Sequence, residues 1–281
     1  MAGALLYPLR NAQPKTLPIL ATTVLLCTSI LFAASGVIVE EGRDAAAMID
    51  ADPSAEHSLE DRELAALWTG SENQFTYNES AMEKELDIRR GSYMDIADYS
   101  AKKVIDSLLF FTPVFMLWDC VGMMLLGMGL YKMGVLSAQR SKKNYFQLAI
   151  GGFALGLAVN GFELFQAIES DFDAIVVSGY FQGTYQLGRV AMSMGWLGLI
   201  MLFCQGEVWS GLKNRLAAVG RMALSNYLLH SLICLVLFTG AGFGLIGAFE
   251  RWELYVIVVL IWLVQLALSP WWLKRYSFGP A

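Results

Sequence analysis

Six stretches of this chain stay apolar for about 20 residues or more, the length that carries an α-helix across a hydrocarbon core about 30 Å thick. They fall at residues 17–39, 108–130, 145–165, 185–204, 222–249 and 252–273, and polar residues return between them. The pattern predicts an all-α fold, a polytopic transmembrane helical bundle of about six spans. The fifth run is the least regular, because Gly240, Gly242, Gly244 and Gly247 weaken helix continuity in its second half. The first run follows Arg10 and Lys15 and contains small residues, Ala33 and Ser35, suited to a cleavage site. It exceeds the 7 to 15 residues typical of a signal-peptide core, so it is read as a span.

Between the first two runs the pattern changes. Residues 40–103 hold sixteen Asp and Glu against seven Lys and Arg. Ser58, three residues before Asp61, is placed to cap an amphipathic helix whose apolar side carries Leu59, Leu64, Leu67 and Trp68. A second helix is expected over 79–90. The chain therefore divides into an N-terminal segment with the first span (1–39), a small acidic extramembrane helical insert (40–103) and a five-helix transmembrane region (104–281).

Lys and Arg accumulate in short cytoplasmic loops. Here Arg10 and Lys15 precede the first span, and Arg140, Lys142 and Lys143 join the second and third. Lys213, Arg215 and Arg221 join the fourth and fifth, while Lys274 and Arg275 follow the sixth. These are alternate loops, and the acidic insert, Glu169, Asp171 and Asp173 lie in the others. The expected location is a bacterial plasma membrane with both termini cytoplasmic.

Composition agrees with this reading, with 56% hydrophobic residues, 16% charged residues and a mean hydropathy of +0.49. Soluble domains carry about a quarter charged residues. A net charge of -5 with no concentrated basic face excludes nucleic acid as a partner. Cys27, Cys120, Cys204 and Cys234 lie singly in apolar runs without CxxC spacing, which points to buried small hydrophobes and no metal site. The glycine run near 240 follows no strand and lacks GK[ST], so no nucleotide or other cofactor is expected.

The stretch Gly220–Arg221–Met222–Ala223–Leu224–Ser225–Asn226–Tyr227–Leu228–Leu229–His230–Ser231 and the tail from Leu268–Ser269–Pro270–Trp271–Trp272–Leu273 through Phe278–Gly279–Pro280 resemble the C-terminal domain of YeiB-like bacterial membrane proteins. The run GMMLLGMGLYKMGVLS from Gly122 to Ser137 and the RRGSY of Arg89 to Tyr93 fit the same family. The resemblance implies a membrane location and a domain of unknown function, numbered 418, with no established catalytic residues. Members usually start with further transmembrane helices and continue past the FGP element into a basic, Trp-rich tail, so the chain is expected to be a partial member. The family's fold is similar to that of membrane acyltransferases that modify sugars, and transport is the other activity it implies.

An ionisable side chain at membrane depth is costly unless paired or hydrated, which makes each one a functional candidate. Asp119 lies in the second span, Asn160 and Glu163 near the outer end of the third, Arg189 in the fourth, and Asn226 and His230 one turn apart in the fifth. Glu163 and Arg189 are expected to form a structural ion pair near the outer boundary. Asp119 and His230 fall at matching depths and are expected to meet there. Gly152, Gly156 and Asn160 recur every four residues and are expected to let a neighbouring helix approach closely. One functional reading is a carrier of a small solute with Asp119, Asn160, Asn226 and His230 along its polar route. A second is an acyltransferase using His230 as base with Asp119 on an acyl donor and a sugar or lipid hydroxyl, and a third is a non-catalytic membrane scaffold. Whether the chain is an enzyme, and its oligomeric state, stay open at this point.

Overall fold

A computed structural model describes residues 2–75 and 79–281. Among them the fold is helical without strands. The helices run α1 (Ala2–Leu6), α2 (Thr16–Ala51), α3 (Leu59–Phe75), α4 (Glu79–Arg90) and α5 (Tyr93–Asp106). A π-helical stretch (Ser107–Met116) follows, then α6 (Leu117–Lys132), α7 (Lys142–Glu169), α8 (Ala174–Gln205), α9 (Ser210–Arg221), α10 (Ala223–Phe238) and α11 (Arg251–Leu273). Four described helices are long and apolar enough to cross a membrane: α2, α7, Gly183–Gln205 of α8, and α11. The count is five if α9 and α10, which meet at 79°, are one bent span.

The run at 108–130 is not one continuous α-helix. Pro113 sits inside the π-helical stretch, where its missing N–H and its ring exclude the ordinary i→i−4 bond and favour the wider turn. α6 alone has 16 residues. The fifth run also differs from expectation. Its helix ends at Phe238, and 239–250 is a glycine-containing loop. Helix α2 outruns the apolar segment, continuing from Val39 to Ala51 through charged residues.

The apolar side chains point outwards. On α11, Val259, Trp262 and Leu263 are 48, 56 and 57% exposed. A monomer in water does not leave such continuous apolar surface open, whereas a lipid bilayer is a compatible surround. The four cysteines, expected to be buried, are exposed on these same surfaces. A helix that faces lipid has no need to hide a small apolar thiol inside.

The chain divides into two compact units, and the boundary cuts through the acidic stretch: 1–77 with 108–206, and 78–107 with 207–281. In the first unit, Leu6, Leu17, Ala21, Val121 and Leu125 form a buried cluster from α1, α2 and α6. Helix α3 starts at the expected cap, with Ser58 Oγ accepting from the Asp61 N–H at 3.0 Å and donating to its carboxylate at 2.6 Å. It folds back on α2, where a Cβ on Gly42 would lie 2.6 Å from the Leu64 carbonyl oxygen. Leu64 and Trp68 are partly covered there, while Leu59 and Leu67 stay exposed.

Helices α7 and α8 approach at backbone distance. A Cβ on Gly152 would overlap the backbone of Gly195, and one on Gly156 would lie 2.8 Å from the Met192 nitrogen. The small-residue stripe read on α7 therefore meets a matching one on α8. The turn before α7 is fixed by the buried Tyr145 hydroxyl, which donates to the Val135 carbonyl at 2.8 Å, and by Gln205, which donates to the carbonyls of Ala138 and Arg140.

In the second unit, α4 and α5 form a hairpin joined by Glu85, which takes Arg89 at 2.7 Å and Lys103 at 3.3 Å. Its turn is pinned to the 239–250 loop. Gly240 N–H donates to the Arg89 carbonyl at 2.9 Å, and Arg90 Nη2 donates to the Ile246 carbonyl at 3.0 Å. A Cβ on Gly240 would overlap the Arg90 carbonyl oxygen. The RRG motif and the glycine run are thus two halves of one joint, and the glycines serve backbone approach. The tail returns to the start of α10: Arg221 donates to the Ser277 carbonyl at 3.1 Å, and Trp272 Nε1 to that of Phe278 at 3.0 Å.

Candidate functional site

Two polar clusters interrupt the apolar helices, one in each unit. In the first, Asp119 on α6 faces Arg189 on α8. Arg189 donates through Nη1 to Asp119 Oδ2 at 2.9 Å and through Nη2 to Oδ1 at 2.5 Å, the two-pronged geometry that a planar guanidinium and a carboxylate form together. Gln186, one turn before Arg189, donates to Asp119 Oδ1 at 2.7 Å and accepts from Arg189 Nη2 at 2.6 Å. The Arg189 guanidinium also lies over the Tyr185 ring, 5.1 Å from its centre. Arg189 Nε is buried without a hydrogen-bond partner among the described residues.

The expected Glu163–Arg189 ion pair does not form. Arg189 is held by Asp119, and the Glu163 carboxylate accepts a short hydrogen bond from the Thr184 hydroxyl. Thr184 precedes Arg189 by five residues, about 7.5 Å along a helix. Glu163 thus sits too far towards the N-terminal end of α8 for the guanidinium, and Asp119 offers Arg189 two oxygens at its own level. Glu163 and Arg189 still border one cavity of about 420 Å³, together with Asn160, Tyr185, Met192, Ser193 and Trp196. Asn160 is pressed against α8 at Gly188, where a Cβ would overlap its side-chain oxygen. A second cavity of about 210 Å³ reaches Asp119 and Arg189 from the side of Phe32, Met116 and Cys120.

The second cluster joins α10 and α11. Asn226 Nδ2 donates to the Val219 carbonyl at 3.1 Å and to Ser269 Oγ at 3.3 Å. Gln265 Nε2 donates to the Asn226 carbonyl and approaches His230 Nδ1, both at 3.3 Å. Asn226, Gln265 and Ser269 are buried and line a largely apolar cleft of about 490 Å³ with Leu228, Leu232, Leu268 and Trp271. Because a carbonyl accepts from the Gln265 amide, the nitrogen end of that amide must face this side. His230 Nδ1 is the ring nitrogen that meets this amide.

Of the residues singled out in the sequence, Asp119, Arg189, Glu163 and Asn160 therefore gather in the first unit, and Asn226 and His230 in the second. Asp119 and His230, expected to meet, each have partners of their own: Arg189 and Gln186 for the one, Gln265 for the other. Sequence reasoning missed Gln186, Thr184, Gln265 and Ser269. The available signal was spacing, since Gln186 stands three residues from Arg189, and Gln265 and Ser269 stand four apart within a strongly apolar helix, each pair on one helix face.

Comparison with known proteins adds a family to this geometry. Residues 130–281 match the family model described as "Protein of unknown function (DUF418)". The chain is 32% identical over 163 residues to the protein YeiB of Escherichia coli K12, a stretch covering 58% of this chain and 42% of that one. It is 38% identical over 64 residues to YxaH of Bacillus subtilis 168, covering 23% of this chain and 16% of that one. A 39.9 kDa protein from the amylase 3' region of Bacillus acidopullulyticus is 33% identical over 89 residues, 32% of this chain and 25% of that one. The chain spans less than half the length of the curated relatives it matches. No solved structure matches. With more than half its length covered by the family model and its helices apolar on their outer faces, the chain belongs to the DUF418 family, as a YeiB-like member.

Proposed function

We propose that this chain is a bacterial inner-membrane protein that carries a small polar solute, with its binding centre at Asp119 and Arg189. The observation that carries the reading is the bidentate Asp119–Arg189 pair inside otherwise apolar helices, with cavities on both sides. Burying two charges costs more than an apolar filling of the same space, so an intramembrane pair beside a cavity points to work done on a solute. Carriers commonly place such sites near the bilayer midplane.

In this reading the chain crosses six times, through α2, the π-helical stretch with α6, α7, α8, α10 and α11. Its termini are cytoplasmic, its acidic insert is extracytoplasmic, and α9 lies along the inner surface. The alternation of Lys and Arg between loops supports that orientation. Acyl transfer is the weaker reading, because a general base must reach substrate, and Nδ1 of His230 is taken up by the Gln265 amide at 3.3 Å.

The test is passage. Vesicles reconstituted with the protein and loaded with a mixture of small polar solutes should lose particular solutes by mass-spectrometric assay. Asp119→Asn and Arg189→Gln should retain them. Retention of every solute by wild-type vesicles equally with empty ones would remove the carrier reading.

A further inference from the structure

Glu163 is 4% exposed, and yet among the described residues its only hydrogen-bond partner is the Thr184 hydroxyl, with no cationic side chain in reach. The nearest guanidinium facing the same cavity is that of Arg189, and its charge is already matched by Asp119. The acidic and basic side chains on this cavity are therefore Arg189, matched by Asp119, and Glu163, whose carboxyl meets no protein cation. Tyr185 is the remaining titratable side chain on its wall. A buried carboxyl at membrane depth that no protein cation matches is a place for a positive occupant.

The rest of the wall says which kind. A hard inorganic cation needs about six oxygen ligands close together. Here the oxygens are few: Asn160 is packed against Gly188, and the Ser193 hydroxyl donates to the Arg189 carbonyl at 2.8 Å. Trp196, Tyr185 and Met192 make up the remainder, two aromatic rings and a thioether, with Arg189 already over the ring of Tyr185. Trp196 is braced edge-on by Phe153, with ring centres 5.4 Å apart. Aromatic faces beside a carboxylate are the surroundings that suit a weakly hydrated organic cation. The cavity, about 420 Å³, falls in the range of small-molecule sites.

We propose that the solute bound in this cavity bears an alkylammonium group, held by Glu163 and stacked against Trp196. The inference rests on the reading of this unit as a solute carrier and names the chemical class of its cargo. Binding to the full chain in lipid nanodiscs tests it by calorimetry, with choline, tetramethylammonium and butylammonium as probes. The neutral isostere 3,3-dimethylbutan-1-ol and the anion 3,3-dimethylbutanoate serve as comparators.

At least one ammonium probe should bind saturably, and the two comparators should bind about tenfold more weakly or worse. Sodium chloride at equal ionic strength should displace the ammonium no better than potassium chloride. Glu163→Gln, which keeps an oxygen for Thr184, should weaken ammonium binding about tenfold or more, and Trp196→Leu should weaken it with Glu163 intact. Should Glu163→Gln fail to fold, the comparator series on wild-type protein still decides. Equal binding of the neutral isostere, stronger binding of the anion, or no saturable binding of any ammonium probe overturns the inference. A protein that passes neutral or anionic solutes through vesicles without binding these probes would lose the inference and keep the carrier reading. Binding without passage would do the reverse.

Discussion

Arg189 reaches Asp119 with both of its terminal nitrogens, and Gln186 closes the third side. Removing either charge strands the other in low dielectric, so Asp119→Asn and Arg189→Gln should each destabilise the first unit by about 3 kcal/mol. The double replacement Asp119→Leu with Arg189→Met should recover most of that loss, since an apolar filling needs no partner, while solute passage stays lost. Thermal unfolding in detergent checks the stability of all three variants, and the vesicle assay checks the passage. Stability falling further in the double variant would show that the pair is held for more than mutual neutralisation. Asp119 and Arg189 were legible as candidates because an ionisable residue in an apolar run is conspicuous. Their pairing was not, because the ends of apolar runs place a residue's level only to within a turn or two. Expected level and loop length pointed to Glu163, but Glu163 meets α8 at Thr184, five residues before Arg189, and Asp119 stands level with the guanidinium.

Helices α4 and α5 are held by one carboxylate shared between two cations. The Arg89 hydrogen bond foremost, opposed by partial burial and helped by Lys103, holds Glu85 below the ordinary glutamate value of 4.5. Its folded value is depressed, so its contribution is complete above pH 4.5 and is lost as pH falls through the lower folded value. Amide hydrogen exchange over residues 85–103 should be constant, once corrected for intrinsic rates, from neutral pH down to about that point and should rise below it. Glu85→Gln should show the raised exchange at every pH. Exchange with the same acid dependence in that variant would place the titration elsewhere. Elements of this kind were well legible. Helix α4 spans the 79–90 read from the sequence, and the cap at Ser58 forms as its spacing with Asp61 implied. Less legible were features set by backbone rather than by side-chain pattern. The apolar run ended at Val39, but α2 continues because nothing before Asp52 forbids a helix. The run through Pro113 looked continuous, but one missing N–H changes its winding.

At the scale of the whole molecule, the helical, apolar character was legible, with four or five of the described helices long and apolar enough to cross a membrane, and the division into two units was not. Each unit is assembled from separated stretches of chain, and apolar pattern carries no record of which helix packs on which. The proposed orientation, argued from charge, has its own test. In a background with Cys27, Cys120, Cys204 and Cys234 replaced by alanine, Glu60→Cys should react with an impermeant maleimide from outside intact cells. Asn214→Cys should react only after the membrane is opened. Labelling of both from one side would overturn the six-crossing arrangement. The joint between the Arg89–Arg90 turn and the glycine loop carries a consequence in time. Arg90 and Ile246 are 156 residues apart, and at about 5 to 20 residues per second a ribosome needs roughly 8 to 30 s to make the interval. For that period the α4–α5 hairpin exists without the loop that receives it. The joint consequently closes only after residues 240–246 have emerged, and a chain stalled before Gly240 should leave its arginine turn more open to a protease than a chain that carries the loop.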